Sequence, residues 1–250
     1  MKRLAYHSFA ILILHIFILM SSQKANAQLT VQFPSKDQVM ISADWYPVNT
    51  AYPIVLLCHQ NGFSRGEFLE TAVRLNKLGF NCMAIDQRIG DEVNNVKNET
   101  ASNALSKGLK PSFEDAEQDI IAAIEYLHER YNQNIILLGS SYSASLALKI
   151  ACNNEKVKAV AAFSPGEYFK DKDYVSKSIS SLTKPVFITS SKSEADKVTQ
   201  LVRDVNSRIK VQYIPKTAGD HGSKVLWTSS SDNPEYWVAL MSFLNKIKTL

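Results

Sequence analysis

The pentapeptide Gly139-Ser140-Ser141-Tyr142-Ser143 carries the clearest chemistry in the chain. It follows the apolar run Ile135-Ile136-Leu137-Leu138 and opens a helical pattern that reaches Cys152. A serine raised on a tight strand-to-helix turn is the setting of a nucleophile elbow. The turn demands small residues two places to either side, and the helix behind it aims free N–H groups at developing negative charge. Gly139 and Ser143 meet the size requirement, with Ser143 standing where glycine is commoner. The plainer alternative is that Ser140 or Ser141 caps the helix, a role serine favours.

A serine hydroxyl is a weak nucleophile at neutral pH and needs a base, which in turn needs an orienting acid. Of the five histidines, His7 and His15 belong to the N-terminal leader and His128 lies on a polar helical face beside Glu129 and Arg130. That leaves His59 and His221. His221 sits in the small-residue loop Thr217-Ala218-Gly219-Asp220-His221-Gly222, and His59 reads as a structural residue of its own loop. Candidate acids are Glu194 and Asp196, in the loop after Val186–Ile188, and Glu167, just after Val157–Phe163. Either of the first two could instead be a helix-dipole charge. The expected oxyanion donors are the N–H groups of Tyr142, next to the nucleophile, and of Gln60, in the loop after Ile54–Cys58.

Positioning these residues falls to a regular alternation of elements. Residues 29 to 46 alternate apolar and polar around Ser35-Lys36-Asp37, which predicts an antiparallel hairpin at a sheet edge. Short apolar runs then alternate with helical patterns: Ile54–Cys58, helix 66–78, Cys82–Ile85, helix 112–131, Ile135–Leu138, helix 141–152, Val157–Phe163, Val186–Ile188, Ile209–Ile214 and helix 234–247. Strands apolar on both faces and interleaved with amphipathic helices predict an α/β fold with a mostly parallel sheet covered on both sides. Ligand sites in such sheets lie beyond the carboxyl ends of the strands, where every candidate above is placed. Two long connections, 87–111 and 165–184, are positioned to wall a pocket, Tyr168 and Phe169 among them.

The elbow, the segment His59-Gln60-Asn61-Gly62 followed by Ser64-Arg65-Gly66-Glu67-Phe68, and the strand end Ala84-Ile85-Asp86-Gln87-Arg88 together resemble the α/β-hydrolase superfamily. The likeness is to its small lidless branch, similar to dienelactone hydrolases, and spans most of residues 28–250. It implies an α/β-hydrolase fold and a triad working without metal or organic cofactor. The chain order of such triads is Ser, acid, His, which makes His221 the base because it alone follows Ser141. It also implies Glu194 as the acid, nine residues after Pro185, with Asp196 the competing choice. Dienelactone hydrolases place a cysteine at the elbow; Ser141 here points toward carboxylic esters. The expected activity is that of a serine hydrolase acting on small-molecule esters. The alternatives are a peptidase of the same fold or a non-catalytic binding protein on that scaffold.

Composition narrows the setting. Lys2 and Arg3, the apolar run Phe9–Met20 and the small-residue end Ala25-Asn26-Ala27 read as a cleavable signal peptide, residues 1–27, too short to leave a membrane anchor. The expected location is therefore outside the cytoplasm, periplasmic or secreted, with residues 28–250 as one catalytic domain. Cleavage removes Lys2, Arg3 and Lys24 from 28 basic residues and none of the 24 acids, leaving 25 against 24 and a net charge of +1. This weakens any case for nucleic-acid binding. Cys58, Cys82 and Cys152 are an odd number, and the first two lie in strand-like runs, so buried free thiols are expected rather than a disulfide framework or zinc site. Asn98-Glu99-Thr100 forms a glycosylation sequon.

Overall fold

The computed structural model describes residues 28–250; the expected signal peptide lies outside them. In chain order the elements are β1 (Leu29–Pro34), β2 (Met40–Tyr46), β3 (Ile54–Cys58), α1 (Leu69–Lys77), β4 (Asn81–Ile85), α2 (Glu99–Ser106), α3 (Glu117–Tyr131) and β5 (Ile135–Ser140). They continue with α4 (Tyr142–Asn153), β6 (Val157–Phe163), α5 (Tyr174–Ile179), β7 (Val186–Thr189), α6 (Ala195–Leu201), β8 (Lys210–Tyr213) and α7 (Asn233–Lys248). The strands form one sheet in the order β1-β2-β4-β3-β5-β6-β7-β8. β2 runs antiparallel to β1 and β4, and all remaining pairs are parallel. The N-terminal hairpin thus occupies one edge; β3, β5 and β6, which lead to Gln60, Ser141 and Ser164, are central, and β7 and β8, which lead to Glu194 and His221, complete the other side.

Strand alternation explains the two cores. In β3 and β5, Ile54, Leu56, Cys58, Ile135 and Leu137 pack on one face with Ile120 and Ile124 of α3 and Leu146 of α4. Val55, Leu57, Ile136 and Leu138 face the other way, onto Ala72 and Leu75 of α1 and Trp237, Leu240 and Phe243 of α7. A side chain wholly removed from water contributes about 1.5–3 kcal/mol, so a strand apolar on both faces is stable only when covered on both. Cys58 and Cys82 are buried free thiols within β3 and β4, and Cys152 is a half-buried free thiol.

The differences from the sequence-based reading lie at helix starts and in the long connections. The predicted helix from Gly66 begins as a 3-10 turn, Arg65–Phe68, because the Ser64 hydroxyl accepts the Gly66 N–H and starts the coil tightly. The helix predicted from Ser112 likewise opens on a 3-10 turn, Glu114–Ala116. Two short helices, α2 and α5, lie inside the predicted loops. In α2 only Thr100 and Ala104 are buried, too few to leave a periodic stripe; its start is fixed by Asn98, whose side chain accepts the Ala101 N–H. The 87–111 connection folds largely as scaffold: the Thr100 hydroxyl accepts the Ser42 N–H of β2 at 2.9 Å, and Glu99 pairs with Arg65 at 3.0 Å.

Candidate active site

β5 passes into α4 through a single residue, Ser141, held at φ 60°, ψ −123°. A non-glycine residue there is strained, at a cost of about 1–3 kcal/mol, and persists only where its surroundings fix it. They do. The Ser141 N–H donates to Phe163 O at 2.8 Å, and Ser141 O accepts the Ala144 N–H at 2.9 Å. Gly139 explains the small-residue requirement, since a Cβ there would lie 2.6 Å from both Cα and N of Ala144. The Tyr142 side chain turns away into the core, stacked on Phe113 with its hydroxyl accepting from Gln87, so at the cleft this residue offers its backbone N–H.

Ser143 does more than stay small. Its hydroxyl donates to His59 O and accepts from Gln87 Nε2, each at 2.5 Å, and so fastens the elbow helix to the loop after β3. His59 locks that loop from inside: Nδ1–H donates to Gln60 O at 2.8 Å and Nε2 accepts the Gln87 N–H at 3.0 Å. Burial pushes its pKa down to about 4 despite the Gln60 bond, which acts the other way, so the ring is neutral and structural. The strand end after β4 distributes three clamps. Asp86 binds the backbone and guanidinium of Arg65, Gln87 binds the elbow and His59, and Arg88 pairs with Asp119 of α3 and Asp37 of the hairpin turn.

Residues far apart in sequence meet beyond the carboxyl ends of β5, β7 and β8. His221 Nε2 lies 2.9 Å from Ser141 Oγ, and His221 Nδ1 lies 2.5 Å from Glu194 Oε1. The second carboxylate oxygen of Glu194 accepts from Ser164 Oγ at 2.9 Å, from Ser191 Oγ at 2.8 Å and from the Ser191 N–H at 3.1 Å. Burial alone would raise this carboxyl's pKa; the hydrogen bonds from His221, Ser191 and Ser164 outweigh it and hold it at about 2. Ser164 is the joint of this half. It follows β6 at φ 52°, binds Glu194 through its hydroxyl, and through the same oxygen accepts the Gly222 N–H at 3.0 Å.

The other candidates fall elsewhere. Asp196 is exposed in the first turn of α6, and Glu167 caps α5, accepting the N–H groups of Val175 and Ser176 at 2.8 Å each. Gln60 requires a correction. Its N–H donates at 2.8 Å to Oε2 of the buried Glu67, so it is committed and not free to receive an oxyanion. Sequence reasoning could not anticipate this, because Glu67 lay in a segment read only for its likeness. Asn61, the next residue, is exposed, and its N–H has no partner among the described residues. Of the two expected pocket residues, Phe169 is buried against Tyr174 in the core. Tyr168 stands edge-on to His221, its hydroxyl on Ser164 O at 2.7 Å, at the margin of a cavity of about 960 Å³ that Glu194 and Leu201 also line.

A serine elbow, a histidine and a half-buried carboxylate thus stand in one line on a mostly parallel sheet. Residues 50–227 match the profile of the serine aminopeptidase S33 family, and the chain belongs to that family of α/β-hydrolases. It is a hydrolase of the serine type with the α/β-hydrolase fold. Among solved structures it is similar to an esterase of Pyrococcus furiosus, with 17% identity, TM-score 0.68 and coverage of 90% of this chain and 92% of the esterase. It is also similar to a dienelactone hydrolase from Anabaena variabilis, with 16% identity, TM-score 0.67 and coverage of 88% and 96%. The acylaminoacyl peptidase of Pyrococcus horikoshii matches at 14% identity and TM-score 0.66, over 92% of this chain but 43% of the peptidase. No curated protein matches it in sequence.

Proposed function

We propose that the chain is an exported hydrolase of carboxylic esters working through Ser141, His221 and Glu194. The observation that carries this reading is the unbroken line from Ser141 Oγ to His221 at 2.9 Å and from His221 to Glu194 at 2.5 Å. His221 takes the hydroxyl proton as Ser141 Oγ attacks the ester carbonyl. Glu194 fixes the imidazole through Nδ1–H and stabilises its cationic form. The carbonyl oxygen, now negative, is received by the N–H of Tyr142 at the α4 terminus and, in place of Gln60, by the N–H of Asn61. His221 returns the proton to the departing alcohol, and water repeats the sequence to release the acid. The His221 side chain is 37% exposed, which supports an open site for small or extended esters, with Tyr168 as one wall.

Export by cleavage after Ala27 remains part of the proposal, as do a small-molecule partner and the lack of any nucleic-acid or membrane-anchored role. Among the described residues no helix is long and apolar enough to cross a membrane. N-terminal sequencing of the exported protein should begin at Gln28; a start before it refutes the cleavage site. The family description supports a second reading, peptide hydrolysis by the same residues. Fluorophosphonate labelling of the native chain and of Ser141→Ala tests the serine chemistry: labelling of the native protein alone is expected, and none at all returns the scaffold to a binding role. Initial rates on p-nitrophenyl acetate and butyrate against aminoacyl p-nitroanilides then separate ester from peptide chemistry.

A further inference from the structure

Glu67 is a buried carboxylate that the mechanism above does not use. It lies in the 3-10 turn before α1 with 0% exposure, and no lysine or arginine is bonded to it among the described residues. An ionised group so placed is expensive unless hydrogen bonds compensate it. Burial raises its pKa, against bonds to Ser223 and Gln60 that favour the charged form. Those bonds join the two sides of the site. Oε2 accepts the Gln60 N–H at 2.8 Å, and Oε1 accepts the Ser223 hydroxyl at 2.5 Å, two residues beyond His221. The Glu67 carbonyl accepts Trp227 Nε1–H at 2.7 Å, and the Ser223 N–H donates to Ser140 Oγ at 2.8 Å, beside the nucleophile.

We propose that Glu67 is a positioning residue that sets the oxyanion loop against the base loop. The inference rests on the serine-hydrolase reading above. By binding the Gln60 N–H it commits that donor and leaves the Asn61 N–H as the free one, and by binding Ser223 it holds the loop of His221 at a fixed separation. The requirement is the length of the side chain, with an acceptor at one oxygen, more than its charge. Glu67→Gln keeps the length and an acceptor for Gln60. Glu67→Asp keeps the charge but is one methylene too short to span Gln60 and Ser223. Glu67→Ala loses both and strands the Gln60 N–H.

The test follows fluorophosphonate inactivation of the purified chain and resolves it into Ki and kinact, with thermal midpoints measured in parallel. The alanine and aspartate variants should lose about 100-fold in kinact with Ki changed by less than about threefold, as when one oxyanion donor is displaced. The glutamine variant should stay within about tenfold of the native rate. If the alanine variant does not fold, the order of glutamine above aspartate decides. An aspartate variant equal to native with an impaired glutamine variant overturns the proposal, as do losses that merely track the folded fraction or appear in Ki. Native protein that labels, with all variants labelling at its rate, overturns this inference alone. A native chain that never labels overturns the hydrolase reading beneath it.

Discussion

Around Ser141 the geometry is set by backbone and by sterics, whereas around Glu194 it is set by hydroxyl groups. The nucleophile is held by its own N–H on Phe163 O and by a turn that excludes a Cβ at Gly139. The acid ends the 3-10 turn Lys192–Glu194 and depends chiefly on the hydroxyls of Ser164 and Ser191, with the Ser191 N–H beside them. A steric lock fails by destabilising the fold, because the clash has nowhere to go. A hydroxyl lock fails by loosening an orientation while the fold survives. The two halves should therefore answer mutation in different observables.

The largest effect expected is that of Ser141→Ala, which removes the attacking atom but keeps the strained Cβ: ester turnover should fall on the order of 10⁶-fold, with the thermal midpoint little changed. Glu194→Gln should lower kcat by about 10³- to 10⁴-fold through loss of the imidazole's orientation. Asp196→Asn should stay within about twofold of native; damage there and not at Glu194 would break the assignment of the acid half. The sharpest contrast pairs Gly139→Ala with Ser164→Ala. The first should cost about 1–3 kcal/mol in urea unfolding. The second should cost about 1 kcal/mol while lowering kcat roughly tenfold. Equal stability losses with equal activity losses would mean that both halves are held in the same way.

The two halves should also separate by pH. The folded pKa of His59, about 4, lies below its ordinary 6.5, so the unfolded chain binds the extra proton. Stability from the nucleophile half should decline as pH falls from 6.5 toward 4, by at most about 1.4 kcal/mol per unit. Glu194, held at about 2 against an ordinary 4.5, contributes stability that is complete above 4.5 and lost as pH falls toward 2. Urea titrations of the native chain and of Glu194→Gln should diverge above pH 4.5 and converge near pH 2. A gap that persists at pH 2 would place the acid's stabilising contacts elsewhere.

What the sequence disclosed follows the same division. The elbow was legible because Gly139, Ser141 and Ser143 act within one turn, and the central strands because each is apolar on both faces. His221 was reached through chain order, and Glu194 through its distance from Pro185. The residues that were not legible act across long separations. Ser164, Ser223 and Glu67 are ordinary polar letters until the sheet brings their loops together, and no local pattern distinguishes a serine that orients a carboxylate from one on a surface. Gln60 shows the limit most plainly. Its place in the loop was right, but its N–H had already been taken by a carboxylate seven residues on. Helices α2 and α5 escaped for a related reason, being fixed by caps and contacts and too short to carry a periodic stripe.

The side chain of Asn98 bears on how the protein can be made. Its Oδ1 accepts the Ala101 N–H, its Nδ2 donates to Gln87 O at 2.9 Å, and the residue is 4% exposed. That nitrogen is the atom an oligosaccharyltransferase would modify, and it is occupied beneath the surface once α2 has formed. A sugar could be attached only to the unfolded chain and would then keep the 87–111 segment from closing over β2. Secretion from a yeast or mammalian host would thus set glycan transfer in competition with folding. Asn98→Asp would keep the helix cap but set a buried carboxylate oxygen against Gln87 O, so Thr100→Val, which removes the sequon and gives up one hydrogen bond to the Ser42 N–H, is the change to make before producing the protein there.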